Sequence, residues 1–249
     1  MGWRCALLLL GFALSPGAWA AAGDPVASVM WDYHHARLLD GAPYVFDERI
    51  EVAVPPFAED ARQVPIQVDA SAYAGRVLRI LAWAELNPIA QLFDFVPGAE
   101  VVPRLALRIR VEQATPIRAA VLTDDGLWHI GSATIDAAGG GCTAPSVVRA
   151  QAGWEERLGE VYGKRFVRQG GSRLRVQIAH PMDNGLVGGI PEFFLNRAEL
   201  RDSAGKVLAT LELFPSVSEN PTLGLEVKGE GDTELWLRDN NGNEFEAVL

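Results

Sequence analysis

Cysteine is nearly absent from this 249-residue chain: only Cys5 and Cys142 occur. That scarcity excludes a disulfide scaffold and the Cys-Trp-Cys framework of an antibody-type domain. Histidine is scarce too, with four residues in all. None of His34, His35, His129 and His180 stands at metal-ligand spacing from a cysteine. His34 and His35 are adjacent, so on a regular element they point different ways, which argues against a shared metal. His129, in "LWHIGS", reads as a surface or edge residue. No P-loop, no Gly-x-Ser-x-Gly and no dinucleotide fingerprint is present. The glycines Gly139, Gly140 and Gly141 precede a cysteine and lack the Lys-Ser/Thr that completes a phosphate loop. The sequence therefore calls for no catalytic group, no cofactor and no metal. Positive charge is also short. Twenty-two Lys and Arg face 32 Asp and Glu, a formal net charge of −10. Such a surface disfavours nucleic acid and anionic membrane, whose phosphates it repels, and suits either basic partners or plain solubility.

The N-terminus has the pattern of a secretory signal. Arg4 precedes a short apolar run, Ala6 to Leu14; Ser15-Pro16-Gly17 breaks it, and Ala18-Trp19-Ala20 offers small residues for cleavage. The run falls short of the ~20 residues that span a bilayer. No later segment is long and apolar enough to do so, so no membrane insertion is expected after cleavage. Removing residues 1–20 deletes Arg4 and Cys5, which moves the net charge from −10 to −11 and leaves Cys142 as the sole thiol. In an oxidising exported compartment an odd cysteine implies intermolecular pairing or a reactive thiol. Its place between Gly141 and Thr143, without apolar periodicity, predicts that it is not buried.

The lead-in "PVASVMWDYHHARLLDG" has little periodicity and reads as helical or irregular; beyond it, period-two alternation dominates. Strands are predicted at Glu48 to Pro56, Arg62 to Ser71, Gly75 to Glu85 and Val101 to Glu112. A hairpin is predicted around Asp124-Asp125-Gly126. From Ala137 to Ser172 small residues and proline concentrate, then "WEERLGEVYGKRF" spaces Trp154, Leu158, Val161 and Tyr162 as a short amphipathic helix would; Gly159 and Gly163 leave irregular structure open. Alternation returns at Arg173 to His180, Arg197 to Leu213 and Pro221 to Leu249. The pattern predicts an all-β protein: two immunoglobulin-like β-sandwich domains joined by a Gly-rich, partly helical linker. The expected division is a signal peptide over 1–20, a first sandwich over 21–136, a linker over 137–172 and a second sandwich over 173–249.

Glycines without Cβ let backbone pass through narrow channels, so a thiol on such a tether suits a carrier, whose cargo rides on sulfur while separate enzymes act on it. An incidental cysteine in an ordinary linker is the equal alternative on residue physics alone. No Lys or Arg lies within five residues of Cys142, so the activating charge for a thiolate is expected from a partner.

Several stretches carry a resemblance. "VPIQVDAS", "NPIAQLFDFVPGAEVVPRLALRIRV", "IRAAVLTDDGLWHIGSATI" and "GGGC", all between Val64 and Cys142, resemble SoxY, the sulfur-carrying subunit of the periplasmic thiosulfate-oxidising system. "HPMDNGL", "IPEFFLNRAEL", "SVSENPTLGLEVKG" and "LWLRDNNGN", from His180 onward, resemble its partner SoxZ. A chain with both halves looks like the fused carriers associated with quinoprotein dehydrogenases. The resemblance implies two immunoglobulin-like sandwiches and a periplasmic, non-enzymatic carrier. Cys142 would be the site of covalent sulfur attachment, on the flexible arm Gly139, Gly140 and Gly141. The implied partners are periplasmic sulfur-oxidising enzymes, c-type cytochromes or a quinoprotein dehydrogenase. A binding or assembly module docking on a dehydrogenase or cytochrome is the alternative. One departure stands out: the family arm ends freely after Gly-Gly-Cys-Gly-Gly, whereas Cys142 continues into Thr143-Ala144-Pro145-Ser146. His180-Pro181-Met182 offers imidazole and thioether, yet reads better as a strand end before the Asp183-Asn184-Gly185 turn. Phe193 and Phe194 read as core or interdomain contacts.

Overall fold

Alternating apolar residues form two sheets in the computed structural model, which describes residues 23–249. The expected signal segment and Cys5 lie outside the described residues. Among the described residues a single α-helix, α1 (Trp31–Leu38), precedes sixteen strands. Those of the first half are β1 (Tyr44–Phe46), β2 (Glu51–Ala53), β3 (Phe57–Ala58), β4 (Val64–Asp69), β5 (Val77–Ala84), β6 (Gln91–Pro97), β7 (Arg104–Ile109), β8 (Thr115–Thr123) and β9 (Trp128–Ala137). The second half holds β10 (Val161–Arg168), β11 (Gly171–Ile178), β12 (Leu195–Asp202), β13 (Val207–Leu213), β14 (Thr222–Lys228), β15 (Thr233–Asp239) and β16 (Glu244–Val248).

The all-β, sandwich-type class is as the sequence predicts, and the inward faces follow the alternation. Val64, Ile66 and Val68 of β4 and Leu105, Leu107 and Ile109 of β7 are buried. So are Leu174, Val176 and Ile178 of β11, and Leu223, Leu225 and Val227 of β14. Strand β5 alternates imperfectly for a physical reason: it is covered on both faces. Ile80 and Ala82 join the main core, while Leu81 and Trp83 join a second cluster with Trp31, Trp128 and Ile130 under α1. The buried Arg118 ties that outer layer down. Its guanidinium reaches Glu85 at 2.7 Å, Asp24 at 2.6 and 2.7 Å, and Ser132 at 2.7 Å.

The two sandwiches are fused edge to edge. One sheet of ten strands runs β1-β9-β8-β5-β6-β13-β12-β15-β16, with β3 pairing β9 off this path. The second, of six strands, runs β10-β11-β14-β7-β4-β2. Strand β6 of the first half pairs antiparallel with β13 of the second, from Phe93↔Leu213 to Pro97↔Ala209. Across the other layer β7 meets β14 at Ala106↔Gly224. One hydrophobic core therefore includes residues of both halves, Phe93 and Phe95 with Leu211 and Leu213 among them. Each such side chain stabilises the fold by about 1.5–3 kcal/mol on burial, so the seam belongs to the core.

Two local expectations need correcting. The amphipathic helix over Trp154 to Phe166 does not form. Only Glu155–Arg157 makes a single 3-10 turn, and Val161–Arg168, placed in the linker by the sequence, is strand β10, paired along its length with β11. Gly159 decides this, because it turns the chain at φ +79° under Phe245, where a Cβ would meet the ring at 1.9 Å. His129 is not on the surface: it is buried, its Nδ1 lying 2.8 Å from Asp47 and 3.0 Å from the Tyr73 hydroxyl.

Candidate functional site

Strand β9 ends at Ala137, and the chain then crosses the end of the first sandwich toward the second. Two of the three glycines bond the backbone after β7. Gly140 N–H donates to the Glu112 carbonyl at 3.0 Å, and Gly141 N–H to that of Val111 at 3.1 Å. Gly141 passes so close that a Cβ would lie 2.1 Å from the Ala61 carbonyl oxygen and 2.5 Å from that of Val111. Glycine is thus needed there for a close approach of two backbones.

Cys142 comes next and turns inward, 1% exposed. This corrects the expectation of an unburied thiol. Apolar periodicity was the wrong signal, because the loop is fixed by polar side chains distant in sequence. The Glu112 carboxylate accepts the Cys142 N–H at 3.0 Å, the Thr143 N–H at 3.2 Å and the Thr143 hydroxyl at 3.1 Å. From the second half, Asn184 donates its Nδ2 to the Cys142 carbonyl at 2.6 Å. Downstream, Glu219 accepts from the Ser146 hydroxyl at 2.6 Å and the Val148 N–H at 3.2 Å, and Arg149 pairs with Asp183. The cysteine segment is a strap pinned at the seam by residues of both halves.

Burial pushes the Cys142 thiol up to about 12, and the Glu112 carboxylate adds to that. Two groups act the other way: Arg110 and the Ser216 hydroxyl. Arg110 is itself buried. Its backbone N–H donates to the Ser216 carbonyl at 2.7 Å, its Nη2 reaches the Pro181 carbonyl at 3.3 Å, and its Nε has no partner among the described residues. Desolvation lowers its pKa, and nearby Glu219, Cys142 and Asp183 favour its charged form. The fold thus supplies a cation for Cys142, from 32 residues upstream, where the sequence expects one only from a partner. In the docked state that cation is outweighed, so the thiol is stored protonated. Local pattern gave no signal for Arg110, Glu112, Asn184, Ser216 or Glu219: each acts on Cys142 or its strap from more than 25 residues away. Strand alternation even points the wrong way for Arg110, since Ile109 faces inward and period two would turn the next residue out, yet Arg110 is buried.

The remaining candidates are structural. His34 and His35 bond the carbonyls of Glu85 and Ala42, at 2.9 and 2.8 Å. His180 is buried against Phe193 and accepts the Met182 N–H at 3.1 Å; desolvation lowers its pKa to about 4 against the pull of Asp239. Met182 Sδ takes the Leu195 N–H at 3.3 Å, so both candidate ligands of His180-Pro181-Met182 are engaged by the backbone, while His180 Nε2 faces Asp239 at 3.8 Å without a hydrogen bond. Phe193 is buried and Phe194 packs against the main core. Among the described residues no group of three or more His, Cys, Asp or Glu side chains is placed to hold a metal, and no helix is long and apolar enough to cross a membrane.

Comparison with known proteins matches the chain in two parts. Residues 35–142 match the family model of sulfur oxidation protein SoxY, and residues 165–249 that of sulphur oxidation protein SoxZ. The first match ends on Cys142. Among solved structures, the sulfur carrier protein SoxY from Chlorobium limicola f thiosulfatophilum is 18% identical, over 43% of this chain and 96% of that one, with a TM-score of 0.39. No curated protein matches the chain.

Proposed function

The chain belongs to the SoxY and SoxZ sulfur-oxidation families, whose domains it joins in tandem, and on that premise we propose that it is a non-enzymatic sulfur carrier with Cys142 as its attachment point. The observation that carries this reading is the strap. The only thiol of the described residues closes the SoxY match and is held at the seam by hydrogen bonds to Glu112 and Asn184. Each such bond contributes about 0.5–1.5 kcal/mol, so undocking costs on the order of a few kcal/mol. A partner surface can offset that.

Docked, the thiol is protonated and shielded. Undocked, it loses both the burial and the Glu112 carboxylate that raise its pKa, and it returns toward an ordinary thiol, which a cation on the partner can ionise. Joining the Cys142 sulfur to the outer sulfur of an inorganic sulfur anion such as thiosulfate forms one S–S bond and releases one proton and two electrons. The chain has no acceptor for those electrons, so the reaction is completed by a partner oxidoreductase. That requirement supports periplasmic sulfur-oxidising enzymes and c-type cytochromes as partners, with a quinoprotein dehydrogenase as the alternative electron acceptor. Glu112 and Asn184 then recapture the strap between visits. The signal pattern of residues 1–20 supports a periplasmic location.

The burial of Cys142 also favours a second reading, in which the chain is an assembly module and its cysteine is inert. Replacing Cys142 by alanine in the native cell separates the two. The carrier reading predicts a folded protein, normal in abundance, with loss of growth on the sulfur substrate. Unchanged growth sinks it and leaves the assembly module.

A further inference from the structure

The outer face of the six-stranded sheet holds an arginine-lined groove of about 420 Å³, formed by β4, β7, β10, β11 and β14. Its floor is bare because Gly224 lies opposite Ala106 where the two halves meet. Arg173 and Arg175 rise from β11 on one side, Arg168 and the half-exposed Phe166 stand at the β10 rim, and Arg108 stands on β7. Nine of the eighteen described arginines form ion pairs with carboxylates, and of the other nine, four line this one groove. Among the described residues, Arg108, Arg168, Arg173 and Arg175 form none. Arg173 lies opposite Glu226 in the ladder, but that carboxylate pairs with Arg104 at 2.9 Å. In a chain of formal net charge −10, four unpaired guanidinium groups around one bare trough are a local reversal of sign.

We propose that this groove binds an extended acidic segment of a partner protein. Charge complementarity selects an anionic occupant, and spacing selects an extended one. Arg175 and Arg108 stand on strands separated by β14, so about 10 Å of sheet lies between their backbones. A single oxyanion holds its donors at about 3 Å and fills a fraction of the trough. An extended peptide presents carboxylates on one face every ~6.5 Å and lies along the Gly224–Ala106 floor, with its apolar side chains against Phe166. The proposal does not depend on what Cys142 carries. The net negative surface would repel an acidic partner elsewhere and orient it onto this face.

The test uses the full chain and a fluorescein-labelled hexaglutamate peptide, titrated at low ionic strength by anisotropy and, unlabelled, by amide shifts in NMR. Binding is expected to perturb the Gly224 and Ala106 amides and to weaken with salt. The double variant R173Q/R175Q should lower affinity about tenfold, while R76Q, remote and already paired, should leave it unchanged; circular dichroism checks that both fold. Equal affinity in R173Q/R175Q, or shifts that map away from the groove, overturns the proposal. Saturable binding of thiosulfate or sulfate to the groove, with no binding of hexaglutamate, also overturns it by making the groove a small-anion site.

Discussion

The Glu112 carboxylate helps hold the proton on Cys142, and its effect is measurable. The thiol's pKa stands at about 12 in the fold against an ordinary value of 9.0. The folded state therefore holds its proton more tightly, and the resulting stability is complete below pH 9 and lost as pH rises toward 12. Over that window the wild type should lose stability faster than Cys142→Ala, as read by denaturant unfolding; parallel curves would contradict the shift. At neutral pH iodoacetamide should label Cys142 far more slowly in the native protein than in the unfolded chain. Glu112→Gln removes the charge and part of the strap's anchorage, so it should raise the labelling rate at least severalfold; an unchanged rate would contradict its role. The sequence made Cys142 visible as a lone thiol after three glycines, but not its burial, because the groups that bury it are brought in by the fold.

At the scale of elements, strands were legible wherever one face met the core, since burial then imposes period two. Strand β6 was not predicted as a strand, and it carries the longer of the two ladders that join the halves. In "QLFDFVP", Leu92, Phe93 and Phe95 are all buried, so the alternation is blurred. The helix expected over Trp154 to Phe166 failed because apolar residues at helical spacing cannot override Gly159 in its left-handed turn. The glycines of the strap also act as structure. Gly141→Ala should destabilise the protein by about 1–3 kcal/mol, since the backbone of Ala61 and Val111 must shift to admit a Cβ. It should also free the strap and speed labelling of Cys142; a variant with normal melting temperature and slow labelling would contradict the close fit. Arg118→Leu leaves the buried Glu85 carboxylate unpaired and should cost about 3–5 kcal/mol, visible as a lowered melting temperature. A loss under about 1 kcal/mol would show that the network around α1 is dispensable.

For the whole molecule, edge-to-edge fusion makes the connection between the halves redundant for assembly. A protease site placed in the exposed segment 151–153 should, after cleavage, leave two fragments that co-elute on size exclusion, held by the β6–β13 ladder and the shared core. Fragments that separate would contradict a common core. Cleavage there also leaves the Cys142 strap attached to the first half, with its Glu112 anchor intact. The two sandwiches were legible in the sequence; that they share both sheets was not, because pairing between edge strands leaves no mark in either strand's own pattern.

As a carrier, the protein would hold a sulfur-containing group on Cys142. The most direct test is the mass of the intact protein purified from its own cells during growth on a reduced sulfur compound, with fragmentation to locate any adduct. The carrier role predicts added sulfur, alone or with oxygen, on Cys142, removed by a thiol reductant and missing from Cys142→Ala. Only the unmodified mass under those conditions would contradict it.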